Sequence, residues 1–196
     1  MITIRCALKK DMQELVHIYS YYVENTAITF EYEVPSVEEF TNRYQNVIKK
    51  YPYIVALIND KIVGYAYVSP FKSRAAYDWA VETSIYCHKD YQKQGIGKAL
   101  YHVLENILRE QGILNMNACI SYPVQEDQYL TKNSVEYHQH LGYRLVGEFH
   151  QCGYKFNTWY NMVWMEKFIG EHQQNQLPVK SFNEVKDIIK EKYGIE

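Results

Sequence analysis

With 196 residues, 47% of them apolar, the chain has the length of one ordinary α/β domain with a short appendage, and enough apolar content for a full core. A formal net charge of -2, with acids and bases interleaved, offers no basic face for a phosphate backbone, so no nucleic acid partner is expected. No apolar run approaches the ~18–20 residues of a membrane span, the start carries no signal region, and the four cysteines (Cys6, Cys87, Cys119, Cys152) are scattered without a Cys-x-x-Cys; the expectation is a cytoplasmic protein with reduced core thiols, no membrane partner and no metal.

Ile2, Ile4 and Cys6 alternate with Thr3 and Arg5 and predict a first strand, and Asp11-x-x-Glu14 reads as a capping box ahead of Leu15, Ile18, Tyr19 and Tyr22 at helical spacing. The loop from Thr26 to Pro35 is more aromatic and acidic than a connector needs. Pro35-Ser36-x-x-Glu39 then starts a second helix whose buried stripe is Val37, Phe40, Tyr44 and Val47. Two β-rich runs, Tyr53 to Ile58 and Ile62 to Ser69, flank the turn formers Asn59 and Asp60 as a hairpin. A short basic loop with Lys72 and Arg74 leads into Tyr77 to Cys87, the longest candidate strand. After the segment Gln92 to Gly97 come a helix from Lys98 to Gln111, stopped by Gly112, and a strand from Ile113 to Ser121, which together form a βαβ unit. A polar stretch from Tyr122 to Lys132 precedes a helix through Val135, His138 and Leu141, and the strands Tyr143 to His150 and Trp159 to Lys167 follow. The expected division is a domain over 1–168 and, over 169–196, a linker with a last helix capped by Ser181-x-x-Glu184, docked on its own domain or on a partner subunit.

Two stretches carry chemistry. Gln92-Lys93-Gln94-Gly95-Ile96-Gly97 places two glycines where a loop becomes a helix, leaving N–H groups open at the positive end of the helix dipole, a cradle for a phosphate or pyrophosphate. A glycine turn without a ligand is the plainer alternative. The segment lacks the Lys-Ser/Thr of a Walker loop and the Gly-x-Gly-x-x-Gly of a dinucleotide turn, so nucleotide hydrolysis and dinucleotide binding both lose ground. In Tyr77 to Cys87, alternation puts Asp78, Ala80, Glu82, Ser84 and Tyr86 on one face, so Glu82 is a carboxylate between small residues. Either burial raises its pKa toward that of a general base, or the strand is half exposed and Glu82 faces water.

These motifs resemble the GNAT acyltransferase superfamily, in which Gln/Arg-x-x-Gly-x-Gly/Ala is the acetyl-CoA signature. A closer resemblance lies in Arg74-Ala75-Ala76-Tyr77-Asp78-Trp79-Ala80-Val81-Glu82-Thr83-Ser84-Ile85-Tyr86, which is similar to the pattern of phosphinothricin and methionine sulfoximine N-acetyltransferases. Thr29-Phe30-Glu31, His138-Gln139-His140-Leu141-Gly142-Tyr143, and Gly153-Tyr154-Lys155 followed by Trp159 stand in that family's order. The resemblance implies Glu82 as catalytic base, His138 as an active-site histidine, Ile85, Tyr86 and Cys87 as the strand edge along pantetheine, and Gln92, Lys93, Gln94, Gly95, Ile96, Gly97 and Lys98 as the cofactor loop. Tyr86 and His138 are candidates to help the thiolate leave, although there are 20 tyrosines to choose from. His138 is equally readable as a satisfied helix histidine. Thr131 occupies the place of a family asparagine on the cofactor side, after an inserted Val-Gln-Glu-Asp-Gln-Tyr-Leu, and Asn161 stands where relatives often carry Asp.

Arg74 offers a fork for a carboxylate or phosphinate, and Phe30, Tyr77 and Trp79 could wall a small side chain; an exposed loop charge and ordinary core aromatics are the alternatives. The fold expected is a GNAT-like α/β domain, a twisted mixed sheet with helices on both faces plus a C-terminal helix. The function expected is transfer of acetyl from acetyl-CoA to the primary amine of a small amino-acid-like molecule by a homodimer. Acetylation of peptides or proteins and a CoA-binding module without turnover are the rivals.

Overall fold

Alternation in the first six residues does make an edge strand: β1 (Thr3–Cys6) pairs antiparallel with β2 (Tyr53–Ile58). The computed structural model describes residues 1–195. β2 turns into β3 (Lys61–Pro70) through Asn59 and Asp60 at φ 50° and 62°, the double left-handed geometry that suits a two-residue hairpin and that Asn and Asp tolerate. With β4 (Ala80–Cys87), β5 (Asn115–Tyr122), β6 (Arg144–Lys155) and β7 (Thr158–Phe168), the seven strands form one sheet in the order β1-β2-β3-β4-β5-β7-β6. Neighbours are antiparallel except β4 and β5, which are joined by α3 (Ile96–Gln111) in a parallel crossover.

Each face of the sheet has its own core. On one, α1 (Met12–Asn25) and α2 (Val37–Val47) cover Tyr53, Val55 and Tyr65. On the other, α3 and α5 (Phe182–Tyr193) cover Ile54, Ala56, Val63, Val81 and Met116. α4 (Asn133–His140) sits beside the far end of β5. The last helix therefore docks on its own domain. Phe182, Val185 and Ile189 are buried there, and the connecting segment is tied down by Gln111, whose side chain donates to the carbonyls of Lys50 and Lys180, both at 2.9 Å.

Several local expectations change. Asp11 does not cap α1: its carboxylate accepts from the Leu8 N–H (2.7 Å) and the Arg5 guanidinium (2.6 and 3.0 Å), so a 3-10 turn at Lys9–Asp11 precedes the helix. Ser36 caps α2 by accepting from the Glu39 N–H (3.1 Å), although the Glu39 carboxylate turns to Arg43, while at Ser181 the Glu184 carboxylate accepts from the serine N–H and hydroxyl (both 2.7 Å). The strand read from Tyr77 begins only at Ala80, because Ala75–Tyr77 closes a 3-10 turn and Asp78 pairs with Lys50 at 2.9 Å. The longest strand is β6, with 12 residues. All four cysteines lie in strands and are free, but Cys119 and Cys152 are exposed and not core thiols.

Candidate active site

β4 and β5 pair only at Ala80–Asn115, Val81–Met116 and Glu82–Asn117, then separate. The apex is clamped: the Asn117 amide donates to the Val81 carbonyl (3.1 Å) and the Thr83 hydroxyl to the Asn117 carbonyl (3.0 Å). The gap beyond is a cleft of about 250 Å³ whose walls include Phe30, Glu82, Ser84, Cys119, Ser121 and His138. No irregularity interrupts β4 against β3, so Glu82, Ser84 and Tyr86 keep one face, toward α1 and α2. Burial pushes the Glu82 carboxyl above its usual range, opposed in part by the nearby Lys72 ammonium, and among the described residues it accepts no protein hydrogen bond. An unengaged carboxylate with a raised pKa is suited to taking a proton near neutrality.

His138 lies at the cleft's opposite wall, only 4% exposed. Its Nδ1–H donates to the Ser134 carbonyl (2.6 Å), leaving Nε2 to accept from the Tyr101 hydroxyl (2.8 Å), and Tyr101 touches Thr83 at 3.1 Å. Burial holds the His138 pKa below its ordinary value, which keeps the ring neutral. Both nitrogens are thus engaged, and the histidine braces α4 against α3 and the strand apex. Tyr86 packs edge-on against Tyr19 and Tyr22, with ring centroids 4.9 and 5.1 Å away, and burial raises its phenol well above the usual value. The backbone of Cys87 is occupied by Tyr22, whose hydroxyl donates to the Cys87 carbonyl and accepts its N–H; burial pushes the Cys87 thiol up to about 11, in keeping with packing.

The glycine loop has the geometry of an anion cradle. Lys93 (φ 61°) and Gly95 (φ 82°) are both left-handed, the kind of backbone from which anion-binding N–H nests are made, directly ahead of α3. The two glycines are required for different reasons. A Cβ on Gly95 would meet nothing, so its role is conformational, whereas a Cβ on Gly97 would stand 2.6 Å from the Tyr137 hydroxyl. Gln92 donates to the Tyr22 hydroxyl (3.4 Å), Gln94 and Lys98 are exposed beside the cradle, and Ile96 turns its side chain into the core, leaving only its backbone to a ligand. Thr131 is exposed just before α4.

The segment 26–32, which forms the other wall, is held at many points. Ala27 N–H donates to the Tyr129 carbonyl (3.0 Å), buried Lys155 to the Thr29 carbonyl (2.8 Å), and the Tyr19 hydroxyl meets the Thr29 hydroxyl at 2.8 Å. Phe30 presses on Gly153 so closely that a Cβ there would lie 2.2 Å from its ring. The inserted loop at 124–130 is ordered and backs that wall: Asp127 accepts from the N–H groups of Tyr129 (2.7 Å) and Leu130 (2.8 Å) and from the Tyr160 hydroxyl (2.7 Å), and Leu130 is buried with Ala27 and Tyr160, against Phe30.

Of the residues expected on the acceptor side, only Phe30 reaches the cleft. Arg74 is exposed on the 71–79 loop. Tyr77 and Trp79 line a separate groove with His172 and Gln176, where the Trp79 indole N–H donates to the Leu177 carbonyl (2.8 Å). Sequence reasoning missed Lys72, lodged between the rings of Phe71 (4.9 Å) and Trp164 (5.3 Å) and electrostatically coupled to Glu82, and Cys119, which is accessible from the cleft yet ringed closely enough by protein that partial desolvation, with the Glu82 charge, pushes its thiol up to about 11. Lys72 stood in the basic loop beside Arg74, but nothing in the spacing ranked one above the other. The Asp127 turn had a legible signal, an Asp before two N–H groups.

Residues 4–164 match the acetyltransferase (GNAT) domain family. A phosphinothricin N-acetyltransferase of Streptomyces viridochromogenes is 31% identical, with 85% of this chain and 88% of that protein covered. An L-methionine sulfoximine/L-methionine sulfone acetyltransferase of Salmonella typhimurium is 28% identical over 87% of this chain and 96% of its own length. Among solved structures, a GNAT superfamily phosphinothricin acetyltransferase from Sinorhizobium meliloti in complex with AcCoA superposes with a TM-score of 0.81 at 30% identity, covering 92% of this chain and 98% of that one. A strand-splay cleft, a left-handed glycine cradle and these likenesses converge: the chain belongs to the GNAT family and is an acetyl-CoA-dependent N-acetyltransferase of the group resembling phosphinothricin and methionine sulfoximine acetyltransferases.

Proposed function

We propose that the acceptor is the primary amine of a small amino-acid-like molecule, and the observation that carries this is the Glu82 carboxylate, unengaged and half-buried in a cleft of only about 250 Å³. The backbone from Gln92 to Gly97 holds the pyrophosphate of the co-substrate, with Lys93 and Lys98 adding charge, and the free edge of β4 beyond Glu82 takes its extended arm. Glu82 accepts the ammonium proton, directly or through one water, so that the neutral amine attacks the thioester carbonyl; the thiolate leaves with little assistance because its own pKa is near ~8.5. Lys72 supplies the cation nearest Glu82 for an acceptor carboxylate, with Arg74 further out on the same loop. The clamped wall at 26–32 and the inserted loop favour a small acceptor over a peptide. The names of the relatives, phosphinothricin and methionine sulfoximine or sulfone acetyltransferases, support the same class.

Thiol release from acetyl-CoA is expected with phosphinothricin, methionine sulfoximine or methionine sulfone and not with polyamines or short peptides. Turnover confined to peptides would overturn the acceptor class.

The reading includes a homodimer. β6 is an edge strand of 12 residues that leaves Leu145, Val146 and Phe149 more than half exposed, an edge that a second copy would cover. Light scattering is expected to give twice the mass of the chain, and Val146→Lys with Phe149→Lys to return it to the monomer; a monomeric wild type would sink the dimer.

A further inference from the structure

The loop that follows β3 crosses the face of the sheet that carries Glu82. Its first N–H, on Phe71, still donates to the Ala80 carbonyl (3.2 Å), and the Phe71 ring then meets Trp164 edge-on at 5.3 Å. Trp164 of β7 stands opposite Cys119 of β5, so the two side chains share a face, and Cys119 lines the cleft with Glu82. Lys72 comes next. Its ammonium lies 4.9 Å from the Phe71 ring and 5.3 Å from the Trp164 ring, and its charge is felt by both Glu82 and Cys119.

Several other lysines are held by oxygen. Lys50, Lys167 and Lys192 sit on the carboxylates of Asp78, Glu105 and Glu110, and Lys155 donates to the Thr29 carbonyl. Among the described residues Lys72 has only rings against its ammonium, and its side chain is exposed. Such contacts are weak at an exposed site, and a four-carbon stem sweeps about 6 Å around its Cα. Lys72 is therefore a primary alkylamine tethered beside the carboxylate that takes the acceptor's proton. A tether replaces the encounter with a second molecule by a high effective concentration, so reaction at this amine competes even without a binding site of its own.

Building on the reading of Glu82 as the base, we propose that Lys72 is a modification site: with acetyl-CoA bound and no acceptor present, the enzyme N-acetylates its own Lys72. The ammonium passes one proton to Glu82, the nitrogen lone pair attacks the thioester carbonyl, and the C–N bond forms as the C–S bond breaks. A second proton passes from the nitrogen to the departing thiolate, giving the thiol of CoA, and Glu82 returns its proton to water. No other reactant is needed. The product is a neutral amide where a cation stood, so each mark removes the charge that an acceptor carboxylate would meet.

Incubation of the full chain with isotope-labelled acetyl-CoA and no acceptor, followed by peptide mass spectrometry, tests this. Lys9 and Lys10, exposed in the turn after the edge strand β1, serve as internal measures of uncatalysed acetylation. Lys72 is expected to take up label at least about ten-fold faster than either, at a rate per chain independent of protein concentration, and Glu82→Gln to bring that rate down to theirs. No label on Lys72, label no faster than on Lys9 and Lys10, a rate that rises with protein concentration, or a rate unchanged in Glu82→Gln overturns the proposal. The wild-type comparison alone can overturn it, whether or not the variant folds. Thiol release with small amines, measured on the same preparation, keeps the two readings apart. Turnover of methionine sulfone with Lys72 unlabelled sinks self-acetylation alone, whereas Glu82-dependent labelling of Lys72 with every small amine silent sinks the acceptor class alone.

Discussion

Glu82→Gln is expected to lower kcat by about 10²- to 10⁴-fold, with the KM for acetyl-CoA little changed. The amide has the volume of the carboxyl, so the cleft keeps its shape and only the capacity to take a proton is lost. Two further readouts follow from the direction of the pKa shift. In wild type the rate rises with pH as Glu82 deprotonates, and burial sets that limb above the usual ~4.3 of a glutamate, the opposing pull of Lys72 notwithstanding; the variant lacks the limb. For stability, a carboxyl whose folded pKa lies above its unfolded one contributes fully below the unfolded value and loses that contribution as pH rises through the folded value. At neutral pH the charged Glu82 is therefore a liability to the fold, and Glu82→Gln is expected to melt higher than wild type there, with the difference vanishing in acid. A variant with undiminished kcat would remove Glu82 from the mechanism.

Gly97→Ala is expected to raise the KM for acetyl-CoA by about ten-fold or more while leaving the pH limb of Glu82 in place. The added methyl would stand 2.6 Å from the Tyr137 hydroxyl oxygen and 3.1 Å from its ring carbon, at the point where loop and helix form the cradle. Tyr137→Phe in the same chain removes the oxygen that the methyl strikes and is expected to restore much of the affinity, since the Tyr137 hydroxyl has no hydrogen-bond partner to lose. Gly95→Ala makes a useful contrast. There the methyl meets nothing, and the defect would come from the backbone at φ 82°, so Tyr137→Phe is expected to give no rescue. Rescue of both, or of neither, would show that the two glycines are not doing different things.

Periodicity carried the fold a long way because it reports which side of a strand or helix is apolar, and that is a local property. Glu82 was legible for this reason: alternation with Ser84 and Tyr86 survives unbroken against β3. The glycine loop was legible because its backbone demands are written in residue type. What misled was competition from distant partners. Asp11 had the spacing of a cap, but Arg5 and the Leu8 N–H claim its carboxylate. Trp79 and Tyr77 had the company of site aromatics, but Leu177 holds the indole and a 3-10 turn carries both away from the cleft. The inserted loop reads as a polar excursion, while Tyr160 and Ala27 tie it down behind the 26–32 wall. No local pattern encodes where β4 and β5 part, since that depends on the apex held by Asn117 and Thr83.

The position of α5 bears on how the chain acquires its shape. α3 is complete at Gln111, but its outer apolar stripe finds cover only when Phe182, Val185 and Ile189 arrive, after three intervening strands. Closing so long a loop comes late and slowly, and until then the βαβ unit exposes the surface that promotes aggregation. Without α5 the chain keeps every residue of the cradle and the Glu82 carboxylate but leaves its central helix uncovered on that side, so the integrity of the site depends on a helix that contributes nothing to its chemistry.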